Sequence, residues 1–167
     1  MTQQVLKTQI TEFHTVNGLL EGERARAAES VRSVLADTFT LLVATQGIHW
    51  NVQGPLFYSI HMLTEKQYQD MFGAVDQIAE RIRALGFLAP LSAEEMISDS
   101  NLISPNECDE LDAQIQCLIE GNELITRSIR QKLPAIEAMY DVKTAEVFSN
   151  RIGTHEENAW QLRAIIS

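Results

Sequence analysis

The residues that break helices are few in this chain and fall in clusters, and their placement limits the fold more than any other feature. The 167 residues contain four prolines and eight glycines, and Gly54-Pro55, the stretch from Gly86 to Pro90, Pro105 and Pro134 separate long segments free of strong breakers. Within those segments apolar residues recur at alternating steps of three and four, the period of an amphipathic helix. Val31, Leu35, Thr38, Leu42, Thr45 and His49 mark a first helix over about 24–50, with Val34, Leu41 and Ile48 widening its stripe. A second helix over about 55–85 opens on Pro55, a favoured first helical residue, and places Phe57, Ile60, Tyr68, Phe72, Val75, Ala79 and Ile82 on its inner face.

The connection from Gly86 to Ser104 is too long for a simple turn between helices, and Ser92-Ala-Glu-Glu95 is a capping box that predicts a short helix over 92–98. A second capping box, Ser104-Pro-Asn-Glu107, opens a third long helix with the seam Cys108, Leu111, Ile115, Ile119, Asn122, Ile125, Ile129, ended or kinked at Pro134. Asp141 can cap a last helix whose seam is Ala145, Phe148, Ile152, His155, Ala159, Leu162 and Ile166. No stretch alternates with period two for long enough to propose a strand. The expected class is all-α: a ferritin-like four-helix bundle over 24–167 with one long crossover carrying an extra short helix, preceded by a polar tail or arm, residues 1–23.

With 45% apolar and 22% charged residues, the composition is that of an ordinary globular domain with one core. A domain of this size buries roughly 70% of its unfolded surface, so it folds without disulfides or metal, and a metal site would be there for function. Thirteen Lys and Arg against twenty-three Asp and Glu leave a formal charge of −10, which speaks against a general polyanion binder. Cys108 and Cys117 would lie about 13 Å apart along a helix and on opposite faces, so they read as core or interface thiols rather than a bridge. The first twenty residues lack a secretion-signal core and no apolar run reaches membrane-spanning length, so the expected location is the reducing cytoplasm.

Metal chemistry is suggested by residue type and spacing. The Glu-x-x-His pairs of bundle-interior di-iron sites are absent, as is HExxH, so a site inside the bundle is not expected. His49, at the end of the first helix, and His61, Glu65, Asp76 and Glu80 along the second are all types that ligate Fe(II). His61 and Glu65 are four residues apart, as are Asp76 and Glu80, so each pair can share an ion. His61 and Asp76 are about 22 Å apart along the helix, yet only about 60° apart around it. One chain cannot bring both ends to one ion. An antiparallel copy of the helix across a two-fold axis would bring the acidic end of one chain to the histidine end of the other, giving two equivalent sites per dimer.

The run His49-Trp50-Asn51-Val52-Gln53-Gly54, with Phe57, His61 and Asp76-Gln-Ile-Ala-Glu80-Arg81, resembles the signature of the Dps mini-ferritins, the DNA-binding proteins from starved cells. Arg151-Ile152, His155-Glu156 and Ala159-Trp160 extend the resemblance into the last helix. It implies a hollow shell of twelve subunits, a homo-oligomer, that oxidises Fe(II) at its two-fold interfaces, prefers hydrogen peroxide as oxidant, stores ferric mineral and counters oxidative stress. Carried over by position, the ferroxidase residues are His49, His61, Glu65, Asp76 and Glu80, with His61 reaching across the interface to the other chain's Asp76 and Glu80. Gln46 departs from the pattern, because family members often carry Lys there.

Several residues keep two readings. Trp50 is an electron donor beside the iron if the family pattern holds, or an aromatic interface anchor. Asp141 and Glu146 could line an acidic pore, or form a plain helix cap and a solvated face. His155, on a core seam without a metal-spaced partner, reads as a hydrogen-bonded core or interface histidine, and His14 as a solvated one. The rival function is a DNA-binding, nucleoid-compacting protein, as some family members are. A twelve-subunit shell multiplies the −10 of each chain by twelve, and the tail has Lys7 but no lysine cluster, so DNA binding is expected to be weak or absent. A third reading is a metal-free helical scaffold.

Overall fold

The computed structural model describes residues 15–102 and 110–167. It contains α1 (Glu21–Asn51), α2 (Phe57–Ala84), the short α3 (Ala93–Ser98), α4 (Leu111–Ala138) and α5 (Val142–Ile166), and no strand among the described residues. α1 packs along α2 and α4 along α5, the two hairpins meet chiefly through α1 and α4, and α3 lies against α1. This is the four-helix bundle with one long crossover expected from the breaker pattern.

The core is the common side of the four long helices. Leu35, Leu41, Ile60, Met71, Ile78, Ile82, Ile115, Ile119, Ile125 and Phe148 are fully buried in it. Each such side chain contributes about 1.5–3 kcal/mol relative to an exposed one. Gly121 lets α4 approach α1 closely, since a Cβ there would lie 2.9 Å from Leu41 Cδ1. Polar groups within the core are satisfied locally: Thr38, Thr45, Thr64 and Thr126 each donate to the carbonyl four residues back.

The crossover is tied to α1 by two polar side chains, Arg32 and Asp37. Arg32 donates to Glu95 at 2.9 Å and to the carbonyl of Leu88 at 2.8 Å. Buried Asp37 accepts from the Asn101 backbone at 2.7 Å and from Ser100 Oγ at 3.1 Å. α3 starts where its capping box predicts, with Ser92 Oγ accepting from Glu95 N at 3.1 Å.

The structure departs from the sequence reading in three places. α1 begins at Glu21, three residues earlier than expected, where the Glu23 carboxylate accepts from Leu20 N at 2.8 Å. α4 runs through Pro134 to Ala138. Pro134 only withholds one N–H from the carbonyl of Arg130, and both residues are exposed. The inner face of α2 is Ile60, Thr64, Gln67, Met71, Ala74, Ile78 and Ile82, turned by about one residue from the expected set. Phe57 and Phe72 lie on the outside, 45% and 73% exposed. The α4–α5 corner is a Schellman turn without glycine: Tyr140 has φ 57°, with Tyr140 N bonded to Glu137 O and Asp141 N to Ile136 O. His14, Cys108 and the Ser104–Glu107 capping box lie outside the described residues.

Candidate metal centre

The corner between α1 and α2 brings two of the candidate ligands together. Val52 N closes α1 on Ile48 O, Gly54 takes φ 87°, and Phe57 N bonds Gly54 O at 3.1 Å, so the chain reverses within a few residues. His49 and His61 then face one another. Nδ1 of His49 lies 2.8 Å from the carbonyl oxygen of His61, and Nδ1 of His61 lies 2.9 Å from the carbonyl oxygen of His49. The two rings stack, with centroids 3.8 Å apart and planes within 16°.

A carbonyl oxygen can only accept, so both Nδ1 atoms carry the hydrogen. In the neutral rings each Nε2 therefore holds the lone pair, and neither has a hydrogen-bond partner among the described residues. This is the arrangement in which a histidine ring is oriented for a metal by a bond from its other nitrogen. Phe57 stacks on His61 at 5.0 Å, and the edge of Tyr68 meets His49 at 5.1 Å. His49 is buried and His61 half-buried, so their ligating edges are the part left to reach a neighbour or solvent.

Glu65 is half-buried one turn beyond His61, with a long contact of 3.5 Å from Gln69 Nε2. Asp76 and Glu80 are exposed at the far end of α2 and have no hydrogen-bond or ion-pair partner among the described residues. The structure thus joins His49 to His61 and leaves Asp76 and Glu80 apart from them, and no three His, Cys, Asp or Glu side chains of the described residues form a cluster able to hold a metal. Between the two ends of α2, on the same side, Phe72 is 73% exposed. Trp50, Tyr58 and Met62 add exposed apolar surface near the histidine end. Trp50 makes no ring contact with either imidazole. Half-buried Gln46 lies one turn before His49.

The bundle interior carries a cationic polar layer. Arg151, almost wholly buried, pairs with Asp70 at 2.8 Å and approaches His155 Nε2 at 3.4 Å. His155 Nδ1 lies 2.8 Å from Asn122 Oδ1, and Asn122 is oriented by its own bond to Leu118 O. Burial, reinforced by the Arg151 charge, pushes the His155 pKa down to about 3, so the ring is neutral. The Arg151 guanidinium, its charge balanced by Asp70, thus stands at the centre of this layer beside a neutral ring.

The two acidic residues considered for a pore part company. Asp141 is buried and caps α5, accepting from Thr144 N at 3.0 Å and Thr144 Oγ1 at 2.6 Å, and it pairs with Arg81 at 2.8 Å. Burial alone would raise its pKa, but the bonds from Thr144 and the Arg81 guanidinium outweigh that and hold it below the usual carboxylate value. It is a cap and an ion-pair partner and offers no surface to a pore. Glu146 is exposed and paired with Lys143 at 3.0 Å.

Sequence reasoning assigned Tyr68 and Phe57 to the core and missed that both touch the histidine pair. Their spacing from His61, seven residues after and four before, was the available signal, because both offsets return to one side of a helix.

Comparison with known proteins places these features in a family. The model of the ferritin-like domain matches residues 29–167. An uncharacterised low-temperature-induced protein of Nostoc sp. is 31% identical over 151 residues, covering 89% of this chain and 84% of that protein. DNA protection during starvation protein 1 of Deinococcus radiodurans is 26% identical over 150 residues, covering 89% and 72%. Among solved structures, the Dps protein of Vibrio cholerae, described as a member of a broad superfamily of ferritin-like diiron-carboxylate proteins, superposes with a TM-score of 0.84 at 24% identity, covering 94% of this chain and all of that one.

Proposed function

The chain belongs to the ferritin-like family, on its Dps branch, and from that premise we propose that it is an iron-storing ferroxidase whose site is completed between two copies of the chain. His49 and His61 of one subunit would meet Asp76 and Glu80 of the partner subunit across an antiparallel pair of α2 helices, with Glu65 beside them. The observation that carries this reading is the state of the histidine pair. Both Nδ1 atoms are committed to carbonyls, both Nε2 lone pairs are unused, and the same side of α2 carries two unpartnered carboxylates.

Iron enters this scheme as substrate. Neutral imidazole suits Fe(II), and carboxylates suit the harder Fe(III), so the mixed set can bind the ion, tolerate its oxidation and pass it on. With hydrogen peroxide as oxidant, two Fe(II) each give one electron, the O–O bond breaks, and two protons complete two waters. The carboxylates supply negative charge where positive charge rises, and the stacked rings hold their nitrogens in place without reorganising. Exposed Phe72, Trp50 and Tyr58 would be covered in the two-fold contact, and a closed shell of such dimers, twelve subunits in the reading proposed, would enclose the mineral. We place the protein in the cytoplasm. The net charge of −10 favours iron chemistry over DNA compaction as the main role.

The test is stopped-flow absorbance of ferric formation after mixing Fe(II) with the assembled protein and then with peroxide or dioxygen. Fast oxidation with peroxide is expected in the parent and should be lost in a His61→Ala, Asp76→Ala variant. An unchanged rate in that variant would remove the site assignment. Mixing the two single variants should restore part of the activity, because half of the sites in a mixed dimer would be intact.

A further inference from the structure

Of the two rings in contact with the histidine pair, Phe57 and Tyr68, Tyr68 is the one whose chemistry the site can use. Reducing one hydrogen peroxide to water takes two electrons, and a site holding a single Fe(II) can supply only one. Without a second donor, the one-electron step cleaves peroxide to hydroxide and a hydroxyl radical beside the protein. A phenol in contact with the ligand ring can provide the missing electron together with a proton.

The family resemblance would give a donor role to Trp50, but Trp50 makes no ring contact with either imidazole of its own chain. Tyr68 is half-buried, set edge-on to His49 with ring centroids 5.1 Å apart, and is one helical turn beyond Glu65. Phe57, the other ring against the pair, has no ionisable hydrogen to give. Neither other tyrosine touches the pair: Tyr58, near the histidine end, is 71% exposed with no ring contact, and Tyr140 is in the α4–α5 corner.

On the basis of the ferroxidase reading above, we propose that Tyr68 is the one-electron donor that lets a singly loaded site reduce peroxide fully. Fe(II) gives one electron and becomes Fe(III); Tyr68 gives one electron and its phenolic proton and becomes a neutral tyrosyl radical. One further proton comes from solvent, the O–O bond breaks, and two waters form. The next Fe(II) to arrive returns an electron to the radical, which takes up a proton and is phenol again. Tyr68 touches a ligand ring rather than the ion, so it acts through His49.

The experiment loads the assembled protein anaerobically with one Fe(II) per candidate site, adds one equivalent of peroxide, and freezes the mixture for electron paramagnetic resonance. A parallel sample carries a hydroxyl-radical spin trap. The parent, Tyr58→Phe and Tyr140→Phe should give a tyrosyl signal and little trapped radical. Tyr68→Phe, which keeps the ring and its edge contact, should lose the signal and release trapped hydroxyl radical. A tyrosyl signal that survives Tyr68→Phe overturns the proposal, as does a signal abolished by Trp50→Phe and left intact by Tyr68→Phe. Ferric formation in the parent with no protein radical overturns the role of Tyr68 alone. Absence of ferric formation above the buffer control overturns the ferroxidase reading and the donor with it.

Discussion

Lowering the pH should destabilise this fold through His155 in particular, and the size of the effect follows from its surroundings. The ring is fully buried, bonded to Asn122 and faced by the Arg151 guanidinium, and its pKa falls from 6.5 to about 3. Between those values the unfolded chain binds a proton that the folded chain refuses, so stability falls as the pH drops below 6.5. Each pKa unit corresponds to about 1.36 kcal/mol, which makes the loss about 2 kcal/mol by pH 5 and about 4 kcal/mol near pH 3. The Arg151 charge cannot swing away, because its side chain is packed among α2 and α5 and held by Asp70. The assay is urea unfolding at one protein concentration, at pH 7 and pH 5, for the parent and for His155→Gln. The variant should be weaker at pH 7 by about 1–3 kcal/mol, since the Asn122 oxygen loses its partner. Between the two pH values, however, the parent should lose about 2 kcal/mol more than the variant, whose side chain does not titrate. Equal losses would show that the ring is not held neutral by the fold, and the account of the interior layer would fail.

Three further outcomes can be checked directly. Asp141→Ala removes a helix cap and strands the largely buried Arg81, at a cost of about 3 kcal/mol at neutral pH. Because the Asp141 pKa is lowered in the fold, its contribution is present above the ordinary carboxylate value and disappears as the pH falls through the folded one, so thermal melts of parent and variant should converge in acid. Tyr140→Gly should raise the unfolding free energy by up to about 1 kcal/mol, the roughly 1–2 kcal/mol that a side chain costs at the positive φ of this corner being offset in part by the entropy of glycine in the unfolded chain; a loss in urea titration would mean that the tyrosine ring packs usefully there. Phe72→Asp should leave the helical circular dichroism intact, because the ring is exposed in the single chain, while sedimentation velocity shows the assembly breaking into smaller species; an unaltered assembly would remove α2 from the subunit contact.

The seams of α1, α4 and α5 were legible because on those helices the apolar stripe and the core stripe coincide, as Leu35, Ile119 and Phe148 illustrate. On α2 they do not. Phe57 and Phe72 are as apolar as a core seam, while the true inner face includes Thr64 and Gln67, whose polarity is absorbed by bonds to backbone carbonyls. A three-four pattern reports that a face is apolar and does not say which chain covers it, so it does not separate the outer rings of Phe57 and Phe72 from the inner face. Pro134 misled for a related reason: a proline at an exposed position removes one bond without meeting a neighbouring helix. The candidate ligands were legible as residue types at useful spacing. The mutual anchoring of His49 and His61 was not, because it depends on backbone carbonyls at a corner, and a carbonyl is the same in every residue. Asp141 kept two readings until its pairing with Arg81 and Thr144, distant or local in sequence, could be seen.

The crossed bonds of the histidine pair also bear on how such a centre can change over generations. What anchors each ring is the main chain of the other position, which remains whatever side chain that position carries. Replacing His61 would remove the stacked ring and one lone pair, yet leave the oxygen that fixes His49. Replacing His49 would do the same in reverse. The two positions are coupled in geometry and independent in inheritance, so lineages can pass through forms with one histidine whose remaining nitrogen still points where it did before.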